Sequence, residues 1–318
     1  MRFRHAFALI LSAGIFACQP DSPPAQPAAP AYQAISLLGD TLVPAPPSDA
    51  LLEKLAQREQ AYETDTTDLD ALIWYGRFLA YAGDYRAAIK LYTLGLKRWP
   101  QEPHLLRHRG HRYLSIREFD RAIADFEAAV TTMEDMPLET EPDGMPNAQN
   151  IPVSTLQGNV WYHLGLAYYL TGDFPNALRC YTQCLQTTPN DDNVVSATHW
   201  LYMINRRLGD TTAAKMALEF IRESMDVIEN FDYHRACRFY QGEIGEEELL
   251  GTETDSPGSD AVRYALANWQ LYHGDTTTAE AQFRELLATG SWNSFGYIAA
   301  EADVARLAGE RETGNGDQ

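Results

Sequence analysis

Residues 158–191 read GNVWYHLGLAYYLTGDFPNALRCYTQCLQTTPND, and the fold follows from how that stretch is punctuated. Trp161, Leu164, Gly165 and Tyr168 recur at helical spacing before Gly172-Asp173; Ala177, Tyr181 and Cys184 recur after it. Glycine ends a helix by taking the left-handed conformation at little cost, and the Asp that follows caps the free N–H groups of the next helix. Pro189 stops the second helix. Gly165 removes a β-carbon where the two helices must touch. The stretch is a helix pair.

The same punctuation returns along the chain as Gly83-Asp84-Tyr85, Gly209-Asp210-Thr211 and Gly274-Asp275-Thr276. An alanine stands five residues after each glycine, at Ala88, Ala177, Ala214 and Ala279. A further copy without the glycine reads Glu118-Phe119-Asp120-Arg121-Ala122. Units therefore run over about 69–102, 103–136, 158–191, 195–228 and 260–293. The third unit resembles the tetratricopeptide repeat at nearly every signature position, with Cys184 in place of a small alanine. Tyr75, Gly76, Leu79, Ala88, Tyr92, Gly95 and Pro100 carry the likeness in the first unit; Leu106, Gly110, Tyr113, Ala122, Phe126 and Ala129 carry it in the second. The resemblance implies an all-α fold, a right-handed α-α superhelix of about five helix-pair repeats whose stacked faces form one core.

Outside the units, Ser48-Asp49 reads as the cap of a helix over roughly 50–63 with Leu51, Leu52 and Leu55 on one face. Residues 137–157 form an inserted loop holding four prolines. Residues 229–258 read as a degenerate helix pair, with helix from Tyr233 to Tyr240 and an acidic run from Glu243 to Glu248. Ser294 to Leu307 reads as a terminal capping helix, with fraying expected from Ala308 to Gln318.

The amino terminus carries an address. Arg2, Arg4 and His5 precede an apolar stretch, Ala6 to Phe16, too short to span a bilayer but suited to a secretory leader. It ends in Ile15-Phe16-Ala17-Cys18, which resembles a bacterial lipobox and implies lipid attachment at Cys18. Gln19 to Pro30 holds five prolines and stays extended, as a tether should. The domains are thus a signal peptide (1–17), a lipidated tether (18–49) and a repeat domain (50–318). Residue 19 is not Asp, so by analogy with lipoprotein sorting the expected location is the outer membrane of a bacterial envelope.

Lys plus Arg number 25 against 44 Asp plus Glu, a net charge of −19 that argues against nucleic acid as a partner. No phosphate-binding glycine loop, nucleophile elbow or His-Glu-x-x-His is present, so no catalytic residue and no cofactor are assigned. His104, His108 and His111 share a helix face, but Arg107, Arg109 and Arg112 interleave them and oppose a bound cation, so no metal is assigned. Cys180 and Cys184, four apart on a helix, read as buried packing.

In the repeat family the first helix of each unit lines a concave surface. Carried onto this chain, the inward set is Arg77, Arg107, His111, Tyr162, Leu166, Tyr169, His199, Met203, Arg206, Tyr264 and Asn268. The Lys and Asn of the chaperone-binding clamp do not match at these positions. The resulting expectation is a non-enzymatic scaffold, lipid-anchored to the membrane, that takes an extended peptide or partner protein in its groove. A binder of envelope glycan or peptidoglycan fragments is the alternative, given 17 Tyr and 6 Trp. Cys18→Ser should move the protein from the membrane fraction to a soluble one on fractionation. A variant as membrane-bound as the parent would refute the anchor.

Overall fold

The computed structural model describes residues 32–187, 190–251 and 257–314; Cys18, the leader, the tether as far as Ala31, and Pro189 lie outside them. Among the described residues a two-stranded hairpin, β1 (Ala34–Ile35) and β2 (Thr41–Leu42), precedes fourteen α-helices. A first helix, α1 (Asp49–Thr64), leads into the pairs α2 (Leu69–Tyr81) with α3 (Tyr85–Arg98), and α4 (Pro103–Ser115) with α5 (Phe119–Met133). After the inserted loop come α6 (Leu156–Thr171) with α7 (Phe174–Gln186), then α8 (Asp191–Arg207) with the short α9 (Thr211–Ala217). The degenerate pair is α10 (Phe231–Gln241) and α11 (Glu246–Leu250). The last pair is α12 (Pro257–Tyr272) with α13 (Thr276–Leu287), followed by α14 (Phe295–Gly314). Consecutive helices pack on one another, and first helices also meet across repeats, α2 on α4, α4 on α6 and α6 on α8. The chain is an all-α solenoid of helix pairs.

The local physics matches the punctuation. Asp84, Asp173, Asp210 and Asp275 each cap a second helix, accepting from the backbone N–H three residues on at 2.8–3.2 Å. A β-carbon on Gly165 would lie 2.7 Å from the Tyr181 ring, and one on Gly110 would lie 2.9 Å from Phe126, so only glycine permits these crossings. Ser48 caps α1 as the spacing predicts, but no residue of α1 is buried.

The turn without a glycine is the informative one. Arg117 stands where the other turns place glycine, and it adopts the same left-handed conformation with φ of 65°. An L-residue there is disfavoured by about 1–2 kcal/mol. Its side chain shows what offsets that cost. The guanidinium donates to the Ser115 carbonyl at 2.7 Å, to the Trp292 carbonyl at 2.8 Å, and to both carboxylate oxygens of Glu301 at 2.7 and 3.2 Å. Both side chains of this ion pair are almost wholly buried, 3% and 1% exposed.

Two sequence expectations change here. Residues 294–307 do not cap the end of the solenoid. Every residue of α14 from Gly296 to Val304 is buried, on all sides of the helix. The helix packs on α12, α13 and α6, and a β-carbon on Gly296 would fall 2.3 Å from the Asp260 carbonyl oxygen. A capping helix keeps a polar outer face; this one has none because the superhelix closes around it. Residues 33–43, expected within an extended tether, are instead packed on the repeats. Gln33 accepts from the Arg86 N–H at 3.0 Å, Leu37 N–H donates to Glu301 at 2.7 Å, and the Trp292 indole donates to the Val43 carbonyl at 3.0 Å. The hairpin thus clasps the first repeat's turn to the last helix.

Arg117→Gly tests this closure. It relieves the strained backbone yet leaves Glu301 buried without its partner, a loss that typically costs about 3–5 kcal/mol. Urea unfolding should show a net destabilisation of at least about 1 kcal/mol after the relief of strain. Equal or greater stability would show that the ion pair does not hold α14 in place.

Candidate interaction surface on the inner face

The residues expected to point inward lie on α2, α4, α6, α8 and α12, the first helix of each pair. Much of that set meets protein rather than solvent, which corrects the expectation of an open groove. Leu166, Tyr169, His199, Met203, Tyr264 and Asn268 are all buried to 1% exposure or less. Asn268 donates to Tyr169 Oη at 3.1 Å, the Tyr169 and Tyr264 hydroxyls lie 2.6 Å apart, and Tyr264 donates to Asp303 at 2.7 Å. Arg207 completes the chain, bonding Asn268 at 2.8 Å and Asp303 at 2.6 Å. This network holds α14 and leaves no face for an outside ligand. His199 is enclosed by Trp200, Tyr233 and Tyr240.

Arg77 and Arg107 are covered by the inserted loop. Arg77 Nη1 donates to the Pro142 carbonyl at 2.8 Å, and Arg107 lies 3.2 Å from Glu141. Glu141 is also within 3.1 Å of His108 Nε2 and accepts from Asn159 at 2.6 Å. His104 lies between Glu102, at 2.6 Å, and Glu139, at 3.1 Å. The three histidines thus face carboxylates or aromatic rings rather than a common centre, and among the described residues no group of three His, Cys, Asp or Glu is placed to hold a metal. An acidic, proline-bearing strand of the chain itself lies on the basic inner face. A signal for it existed: Glu139, Glu141 and Asp143 alternate opposite an arginine-rich helix.

Arg206 sits apart at the end of α8, bonded to Tyr202 Oη at 3.1 Å, with its guanidinium 4.4 Å from the centre of the Tyr272 ring. His111 and Tyr162 remain half-buried and face open space. A cavity of about 500 Å³ is lined by Leu51, Phe78, Tyr81, Tyr85, His111 and Arg112 among others. It shares Tyr81 and Tyr85 with a larger hollow of about 840 Å³ opening between Pro44–Ser48 and Ser291–Ser294. On the other side it shares His111 with a space lined by Glu229, Asp232 and Phe295, which leads on to Tyr162 and His163. Arg112, which spacing alone did not single out as inward, lines this hollow, with Lys54 at its rim.

Burial governs the titration of these groups. It pushes His108 and His163 down to about 3, with Arg107 adding to the effect, and holds His199 at about 3 alone. Burial, with Arg112 and His163 nearby, also holds His111 well below its ordinary value. Burial opposes protonation at His104 too, but Glu102 and Glu139 outweigh it and raise that imidazole. Glu141, although buried, is held far below the usual carboxylate range by Arg107 and His108. The thiols of Cys180 and Cys184 are pushed up to about 12 by burial, which leaves them unreactive at neutral pH.

Two stretches, residues 158–191 and 76–135, match family profiles described as tetratricopeptide repeat. They are tetratricopeptide repeats, and the first coincides with the unit read from the sequence. No curated protein matches the chain. Among solved structures, it is similar to a tetratricopeptide repeat protein from Parabacteroides merdae at 12% identity, covering 78% of this chain and 92% of that one with a TM-score of 0.49. YrrB, described as a tetratricopeptide protein with an unusual peptide-binding site, gives 16% identity, 80% and 97% coverage and a TM-score of 0.40. The protein TTC0263 of Thermus thermophilus gives 17% identity, 75% and 98% coverage and a TM-score of 0.39.

The buried imidazoles set a pH dependence. A histidine depressed in the fold binds fewer protons there than when unfolded, so stability is full above its ordinary value of 6.5 and falls as pH drops toward 3. Each neutral imidazole contributes a loss of roughly 1.4 kcal/mol per pH unit in that window. His104, raised instead, acts in the opposite direction but is one group against four. Urea midpoints should therefore fall steadily from pH 7 to 5, before most carboxylates titrate. A flat profile over that range would contradict the burial of these histidines.

Proposed function

We propose that this chain is a lipid-anchored scaffold of a bacterial envelope that receives a segment of a partner protein in the hollow of its inner face. Its repeats have the fold of protein-interaction scaffolds. The observation that carries the finer reading is the hollow itself. Although α14 and the inserted loop cover most of the inner surface, a continuous recess still runs from Pro44–Ser48 past Tyr81, Arg112 and His111 to Tyr162. Its walls include residues of α2, α4 and α6, the first helices through which such repeats meet their partners. Acylation at Cys18 and an outer-membrane location complete the proposal, supported by the leader and the proline tether. Among the described residues no helix is long and apolar enough to cross a membrane.

The glycan reading draws less support. Sugars stack on open aromatic faces, whereas Tyr169 and Trp200 meet edge-to-face at 5.0 Å and Tyr181 lies parallel to Trp200 at 5.8 Å. Those rings are occupied by one another.

Photo-crosslinking residues placed at Asn293 and Met145, which border the hollow, test the proposal in cells. Leu94, 53% exposed on α3, is the control on an outer helix. The expected result is one partner captured from both hollow positions and not from Leu94. Capture from Leu94 alone would move the interaction to the outer face.

A further inference from the structure

Arg112 differs from the arginines beside it. On the same helix, Arg107 lies 3.2 Å from Glu141 and Arg109 grips both oxygens of Asp125 at 2.6 and 2.7 Å. One turn of chain later, Arg117 grips Glu301. Among the described residues no carboxylate, carbonyl or hydroxyl accepts a hydrogen bond from the Arg112 guanidinium, which faces the Tyr85 ring at 5.4 Å. Burial lowers its pKa below the ordinary guanidinium value, and no carboxylate counteracts this. The last turn of α4, with its partial negative charge, and the tyrosine ring keep the cation tolerable, but they do not engage its planar fork of donors.

The space in front of that fork has a defined chemistry. It measures about 500 Å³, within the usual range for small-molecule sites, and its walls include Leu51, Phe78, Tyr81 and Tyr85. Lys54 stands at the rim and adds a second positive charge. Beyond His111 the adjoining space is lined by Glu229 and Asp232, and the whole chain carries −19. One fork meets one carboxylate, and the acidic side chains beyond His111 disfavour further negative charge on the side that extends toward them.

We propose that this hollow binds a small organic monocarboxylate with an apolar or aromatic body, its carboxylate on the Arg112 fork and its body against Phe78, Tyr81 and Tyr85. The inference rests on the inner-face hollow being the working surface, and it names the chemistry that surface selects.

Calorimetric titration of the full-length chain in detergent tests it with three probes: 3-phenylpropionate, the uncharged 3-phenylpropanol, and the peptide Gly-Gly-Phe with a free carboxyl terminus. Phenylpropionate should bind, the alcohol should bind roughly tenfold more weakly or worse, and Arg112→Met should lose the acid by a similar factor. The Met variant should match or exceed the parent in urea midpoint, because it removes a buried charge that no protein group pairs; a lower midpoint would make Arg112 a structural residue and overturn the proposal. Arg112→Lys keeps the charge without the fork and should also weaken the acid while leaving the alcohol unchanged, which separates the loss of the fork from the loss of the charge. Acid and alcohol binding alike, or either variant binding as the parent does, would overturn the proposal. So would binding of the peptide without phenylpropionate, which would assign the site to a chain terminus. Partner capture from Asn293 and Met145 with no acid bound would sink this inference and leave the scaffold; acid binding without capture would do the reverse.

Discussion

The Arg117 guanidinium reaches Glu301 across 184 residues of sequence, and it does so from a backbone conformation that the Gly-Asp turns of the other helix pairs give to glycine. Breaking such a pair is costly while forming it is nearly neutral, so its main effect is to specify a register rather than to supply net stability. Here the register is that of the last helix inside the superhelix. With Glu301 fixed, Asp303 falls within reach of Arg207 and Tyr264, Phe295 falls beside His111 and His163, and Trp292 meets Tyr85 edge-on at 5.5 Å. The hairpin then has something to clasp. Most of what distinguishes this solenoid from an open one follows from that single contact.

The repeat architecture was legible because each of its signals is settled locally. A Gly-Asp turn, an alanine at the crossing and a glycine opposite an aromatic ring need only their own helix pair, so spacing reveals them. The destination of residues 294–307 was not legible for the opposite reason. Nothing in the spacing of Glu301 and Asp303 marks them as buried until Arg117 and Arg207, distant in sequence, are known to lie beside them. The residues expected to line a groove fall on first helices, yet Tyr169, Tyr264 and Asn268 face a helix rather than water. Direction is a property of the repeat; what lies in that direction is a property of the whole chain. Arg112 escaped notice because the family's inward positions, carried over one by one, skip it.

Charge follows a similar division. The chain is strongly acidic, yet its interior concentrates arginines on α4 and at the ends of α2 and α8. Three inner arginines are met by carboxylates delivered from far away: Arg107 by Glu141 of the inserted loop, and Arg117 and Arg207 by Glu301 and Asp303 of the last helix. The insertion is therefore a counter-charge as well as a connection, and its buried Glu141 keeps Arg107 and His108 compatible with a low-dielectric site. The buried neutral histidines belong to the same economy, since adding protons beside unyielding guanidinium groups is unfavourable.

An open solenoid can gain or lose a repeat with little penalty, because each unit contacts only its neighbours. A closed one cannot. Adding one helix pair between Arg117 and Glu301 would rotate and translate α14 away from the turn that receives it, and the hairpin would lose both of its attachment points on that helix and on Trp292. The chain's repeat number is thus locked by geometry, and descent within such a lineage is confined to substitutions and loop changes rather than duplication. The short α9 and the α10–α11 pair depart from the repeat signature yet still occupy the places that closure requires to be filled.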